Sequence, residues 1–122
     1  MLFENTSFEG QSIFITGAAQ GIGAATAHLV AGRGGKVFAL DLDQAGLKVL
    51  QKVLNLSEDQ IALIDVGSQE SVKEVIEVVF ARAGRIDALI NTVGIVGPNN
   101  VKVESVDWND FERTLRINLF GA

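Results

Sequence analysis

The stretch Thr16-Gly17-Ala18-Ala19-Gln20-Gly21-Ile22-Gly23 constrains the fold of this chain more than any other. It follows the apolar run Ser12-Ile13-Phe14-Ile15 and opens an alanine-rich helical pattern. A strand, a glycine turn and a helix in that order make a phosphate cradle. Glycine lets the backbone bend sharply and lets a pyrophosphate approach with no Cβ in the way. The helix then presents free N–H groups and the positive end of its dipole to the anion. The next strand-like run, Val37-Phe38-Ala39-Leu40-Asp41, ends in an acid 18 residues beyond Gly23. A ribose-binding carboxylate belongs at about that distance. Together these features read as a nucleotide site.

The rest of the chain continues the alternation. Strand-length apolar runs fall at Ser12–Thr16, Lys36–Asp41, Gln60–Asp65 and Ile86–Asn91. Each is nearly continuous in apolar residues, as expected for parallel strands covered on both faces. Helical patterns lie near Ile22–Arg33, Gln44–Leu54 and Ser68–Ala83. In the third, Val72, Val75, Ile76, Val79, Phe80 and Ala83 follow the i, i+3, i+4, i+7 spacing of an amphipathic helix. Ser68 is placed to cap it and Gly84 to end it. A polar loop covers residues 94–103, and a fourth helix starts near Ser105 and runs to Ala122. The pattern βαβαβαβα implies right-handed crossovers and one doubly wound α/β domain over residues 1–122. The strand order expected is 3-2-1-4, a partial Rossmann-type sheet with helices on both faces.

Several partners are disfavoured by composition. The net charge is −5 and there is no basic cluster, which argues against nucleic acid or an anionic membrane surface. No apolar run reaches membrane-spanning length. Met1-Leu2-Phe3-Glu4-Asn5 has neither a basic region nor an apolar stretch, so no signal peptide is expected. Cysteine is absent, which excludes disulfides and thiolate metal sites and fits a reducing, cytoplasmic setting. His28 is the only histidine, lies within the first helix and reads as a surface or packing residue, so no metal site is expected.

The motifs Thr16-Gly17-x-x-x-Gly21-Ile22-Gly23, Asp41, Asp65-Val66, Asn91-Thr92-Val93-Gly94 and Asn118-Leu119-Phe120-Gly121 together resemble the first half of a short-chain dehydrogenase/reductase. The resemblance runs from about Gly10 to Ala122, and the glycine spacing G-x-x-x-G-x-G is the form typical of that family. It implies that Gly17 makes the tight turn and that Gln20, Gly21, Ile22 and Gly23 surround the pyrophosphate. It implies that Asp41 accepts hydrogen bonds from both adenosine ribose hydroxyls and repels a 2′-phosphate. Leu42 and Gln20 are uncharged where an NADP-preferring relative often has a basic residue, so NAD is favoured over NADP. Asp65 is expected to meet the adenine amino group and Val66 to lie against the ring. The resemblance also implies that Asn91, Val93 and Gly94 flank the cofactor crevice. Here Asn-Thr-Val-Gly stands where the family has Asn-Asn-Ala-Gly, two departures in four residues. Asn118, on the edge of a stripe of Trp108, Phe111, Leu115 and Leu119 read as facing the core, is implied to support the proton relay.

The chain holds no tyrosine. The family's general acid/base is a tyrosine followed four residues later by a lysine, with a serine on the preceding strand. All three are expected beyond Ala122, which makes residues 1–122 the cofactor half of an NAD-dependent oxidoreductase of small-molecule alcohols and ketones, inactive alone. A catalytically silent nucleotide-binding domain is the alternative. A flavodoxin-like phosphate module accounts for the glycine turn but not for Asp41 and Asn118 together. Ile117, Phe120 and Val106 form a second apolar face on the last helix, from which a homo-oligomer is expected in the intact protein.

Overall fold

Alternation within the first two apolar runs sorts the core into two layers. Along β1 (Ser12–Thr16), Ile13 and Ile15 face one side of the sheet and Phe14 the other. Along β2 (Lys36–Asp41), Val37 and Ala39 oppose Phe38 and Leu40 in the same way. Helices α1 (Gly21–Gly32) and α2 (Gln44–Leu54) cover the first side through Ala27, Val30, Leu47 and Leu50. Helix α3 (Gln69–Ala83) covers the second, with Val79 fully buried among Phe14, Phe38, Leu40 and Ile64. The rings of Phe14 and Phe38 lie 4.9 Å apart across the two strands. The computed structural model describes residues 6–122, so the reading of the first five residues lies outside the described residues.

Strands β3 (Ile61–Leu63) and β4 (Ala88–Asn91) complete a parallel four-stranded sheet of order β3-β2-β1-β4. This is the expected doubly wound arrangement, with both sides of β1 and β2 covered. The outer strands are shorter than their apolar runs. Gln60 is drawn into a 3-10 turn, Glu58–Gln60, where its side chain accepts from the Ser57 N–H at 3.1 Å and donates to the Val37 carbonyl at 2.9 Å. Asp65 lies beyond the other end of β3, in the turn that leads to α3. Before β4, the Asp87 carboxylate accepts from the Ser12 N–H at 2.7 Å and pairs with Arg85.

The Asp87 tie joins the entries of β1 and β4, and its acidity carries a testable consequence. The Arg85 guanidinium, and then the Ser12 N–H, hold the Asp87 carboxyl below its ordinary value of 3.8. A lowered folded-state value adds stability that is complete above the ordinary value and is lost as pH falls through the lowered one. In urea denaturation at neutral pH and near pH 3, Asp87→Asn is expected to lose less stability on acidification than the unchanged protein. An equal loss would show that the tie adds nothing.

Local chemistry sets the helix ends. Asp43 caps α2 by accepting from the Gly46 N–H, and Ser68 caps α3 by accepting from Ser71. Gly84 ends α3 at φ 76°, as its position after Ala83 foretold. Phe80 departs from the expected apolar stripe and is about half exposed. The fourth helix, α4 (Trp108–Leu115), begins three residues later than expected because Asp107 caps it. It passes into a π-helical turn, Arg116–Phe120.

That wider turn changes which side chains share a face. Trp108, Phe111, Leu115 and Phe120 line one shallow groove, the last step spanning five residues rather than four. All of them, and Leu119, are exposed, so the Trp108 stripe does not face the core. Ile117 leaves Phe120 and turns inward, so Ile117, Phe120 and Val106 do not form one face. An ideal helical wheel misplaces these residues because it assumes a constant turn.

Candidate functional site

The C-terminal ends of the strands open into a cleft of about 360 Å³. That is within the range of small-ligand sites. Its wall carries Gly17, Gln20, Gly21 and Ile22 from the glycine turn and α1, Asp41 and Leu42 from the end of β2, and Asp65 and Val66 from the turn after β3. Val93 and Gly94 follow β4 in the same wall. Ten of the sequence-predicted cofactor residues thus meet in one place. Gly23 and Asn91 do not line it: Gly23 is buried under the turn and Asn91 is exposed at the end of β4.

The glycine turn owes its shape to close packing. Gly17 adopts φ +73°, and a Cβ there would lie 2.8 Å from Thr92 Oγ1 and 2.9 Å from the Thr92 carbonyl carbon. At Gly23 a Cβ would overlap the Gly17 carbonyl, so Gly23 serves to seat α1 against the turn. A Cβ at Gly21, by contrast, would meet nothing within 4 Å, which leaves open space in front of the helix. The Gln20 side chain makes no capping bond to α1, and no acid lies in its first turn. The helices α2, α3 and α4 are each capped by a side chain. Uncapped N–H groups at the end of a helix dipole, facing open space, are suited to an anion.

Each carboxylate near the cleft is oriented by backbone donors. Asp41 Oδ2 accepts from the Ala19 N–H and Oδ1 from the Asp43 N–H, both at 3.0 Å. Asp65 Oδ1 accepts from the Gly67 N–H at 2.9 Å. Asn91 Oδ1 accepts from the Thr16 hydroxyl at 2.8 Å and from the Val93 N–H at 3.2 Å. Asn91 therefore ties the ends of β1 and β4 together.

Asn118 is placed differently from its expected role on a core-facing stripe. It lies in the exposed π-helical turn and closes a pair of hydrogen bonds with Ile95. Its Oδ1 accepts from the Ile95 N–H at 2.8 Å, and its Nδ2 donates to the Ile95 carbonyl at 2.7 Å. The partners a polar side chain needs are thus the N–H and the carbonyl of Ile95, in the loop after β4. Gly121 helps hold this segment in place. A Cβ there would come within 2.6 Å of the Val66 carbonyl oxygen.

Sequence reasoning missed Ile64, Thr92, Ile95, Arg113 and Ile117, which also line the cleft. Thr92 is one of the departures from the family pattern. Its hydroxyl donates to the Thr16 carbonyl at 2.8 Å and lies 3.3 Å from the Gly17 carbonyl. A side chain with a short donor and a β-branch at that position was the available signal. Arg113 and Ile117, four apart, were legible as one helical face.

Among the described residues, no group of three or more His, Cys, Asp or Glu is arranged to hold a metal ion. No helix among them is long and apolar enough to cross a membrane. His28 is exposed on α1, with Nδ1 2.8 Å from the Ala24 carbonyl.

The family model described as short chain dehydrogenase matches residues 11–122. D-threitol dehydrogenase of Mycolicibacterium smegmatis is 36% identical over 118 residues, covering 93% of this chain and 44% of the relative. The 3-oxoacyl-[acyl-carrier-protein] reductase FabG of Escherichia coli is 30% identical over 115 residues, covering 93% and 47%. A crystal structure of NAD+-bound xylitol dehydrogenase superposes with a TM-score of 0.85 at 30% identity, covering 95% of this chain and 45% of that one. The chain spans about half the length of the relatives described here.

Proposed function

The chain belongs to the short-chain dehydrogenase family of oxidoreductases, and from that premise we propose that its cleft binds NAD for hydride transfer between a small-molecule alcohol and a ketone. The observation that carries the reading is the Asp41 carboxylate, which shares one cleft with the uncapped N-terminus of α1. When bound, the nicotinamide supplies the hydride chemistry, and the protein supplies binding and orientation. The α1 N–H groups and the open space before Gly21 receive the pyrophosphate. Asp41 receives the adenosine ribose hydroxyls and repels a 2′-phosphate, which favours NAD over NADP. Asp65 and Val66 hold the adenine, while Val93 and Gly94 border the path toward the nicotinamide. Asn118 holds the Ile95 peptide in place for the relay that the family resemblance implies. A reducing, cytoplasmic setting accords with the absence of cysteine.

Chemical shifts of backbone amides on addition of NAD+ test this reading. The expected changes cluster at residues 17–23, Asp41, Asp65 and Val66. Changes confined to other surfaces, or none at saturating NAD+, contradict it.

The silent-domain reading is favoured by one feature, the lack of any tyrosine in the 122 residues. A general acid or base contributes about 10²–10⁴-fold to rate. The 122-residue chain alone is therefore expected to show no steady NADH turnover with a broad set of ketones. Turnover by the highly purified chain would place the proton-transfer group among these residues.

A homo-oligomer in the intact protein is part of the same proposal, and the face assigned to it follows the π-helical turn. The exposed Trp108, Phe111 and Phe120 form that face, rather than Ile117. Phe111→Glu with Phe120→Lys is expected to lower the mass measured by light scattering while NAD binding persists. An unchanged mass would remove this face from the assembly.

A further inference from the structure

Both oxygens of the Asp41 carboxylate are engaged by the backbone. They accept from the Ala19 N–H and the Asp43 N–H, each at 3.0 Å. Ala19 belongs to the glycine turn, and Asp43 begins the turn into α2. The contacts then close into a ring. Asp43 Oδ1 accepts from the Gly46 N–H at 3.0 Å. Gly46 lies so near the glycine turn that a Cβ there would be 2.8 Å from Ala19 Cβ and 2.6 Å from Asp43 Oδ2. The Ala18 N–H adds a bond to the Leu40 carbonyl at 3.3 Å.

We infer that Asp41 is a positioning residue for the glycine turn as well as a ribose ligand, so that the pyrophosphate and ribose subsites share one anchor. The inference rests on the NAD reading of the cleft. The physical argument is directional. A carboxylate oxygen has lone pairs for more than one donor, so a backbone N–H on each oxygen leaves acceptor capacity for the ribose hydroxyls. The bond to Ala19 ties the arc between Gly17 and Gly21 to the end of β2. Neutral replacements break this geometry. Alanine accepts neither bond, and asparagine accepts through a single oxygen, leaving one amide without its partner.

A consequence for specificity follows. Asp41→Ala with Leu42→Arg removes the repulsion of a 2′-phosphate and adds a cation, so the preference moves toward NADP. The anchor is lost in the same step. The double variant is expected to bind NADP+ about tenfold more weakly than the unchanged protein binds NAD+, a difference of about 1.4 kcal/mol.

Amide hydrogen exchange in the ligand-free protein provides the direct test. Asp41→Ala is expected to speed exchange at Ala19 and Asp43 by about tenfold or more, with Phe14 in β1 unchanged as the internal reference. Asp41→Asn, which keeps the shape of the side chain, is expected to expose one of those two amides and spare the other. Unchanged exchange at Ala19 and Asp43 in both variants overturns the inference. So does a double variant that holds NADP+ as tightly as the unchanged protein holds NAD+. Failure of the unchanged protein to bind either cofactor rejects the NAD reading, and the exchange result still decides the anchor.

Discussion

Gly17→Val is expected to abolish NAD binding while most of the circular dichroism of the fold persists. Gly17 sits at φ +73°, where a β-branched residue is strained by about 1–3 kcal/mol. Its Cβ would also press on the Thr92 hydroxyl and carbonyl carbon at 2.8 and 2.9 Å, and the latter is backbone that cannot rotate away. Relief requires the turn to move off β4, which carries the cradle out of register with Asp41. A displacement of that kind costs about 3 kcal/mol of binding or more, roughly a hundredfold in affinity. The turn touches one core layer only through Ala18 and Ala19, and the larger buried side chains of both layers lie outside it, so folding suffers less than binding. Cofactor titration and circular dichroism on the same sample check this. Undiminished affinity in a folded variant would show that the cradle lies elsewhere.

The largest loss of stability is expected from Phe14→Ala. Phe14 is completely buried at the centre of the layer beneath α3 and packs on Phe38. Removing a buried ring leaves a cavity and forfeits its transfer energy, about 3–5 kcal/mol in all. Domains of this kind have only about 5–15 kcal/mol in total. Urea denaturation is expected to show a midpoint displaced to much lower denaturant, with Phe14→Leu in between. A loss under about 1 kcal/mol would mean that this layer closes over the gap or contributes little.

The fold was legible because two periodicities agree in this chain. Continuous apolar runs at residues 12–16 and 36–41 mark strands covered on both sides, and the spacing in α3 marks the helix that covers one of them. Most of the candidate site was legible for a related reason. In an α/β sheet the residues that end strands converge, so Gly17, Asp41, Asp65 and Val93 are brought together by topology alone. Side-chain tasks that depend on distant backbone were not legible. Asp87 meets Ser12 across 75 residues, and Thr92 reaches Thr16 and Gly17 across 76 and 75. Neither pairing follows from a local pattern. The faces of the last helix were misread for a different reason, because the π-helical turn at Arg116–Phe120 breaks the constant 3.6-residue period on which the reading depended.

The central claim is that one cleft binds NAD and that the charge of Asp41 selects it. Calorimetric titration of the purified protein with NADH and with NADPH at low ionic strength tests it most directly, since added salt screens the repulsion. The account predicts saturable binding of NADH at one site, with NADPH weaker by about tenfold or more. Equal or tighter binding of NADPH would contradict the role of Asp41, and no binding of either would contradict the assignment of the cleft.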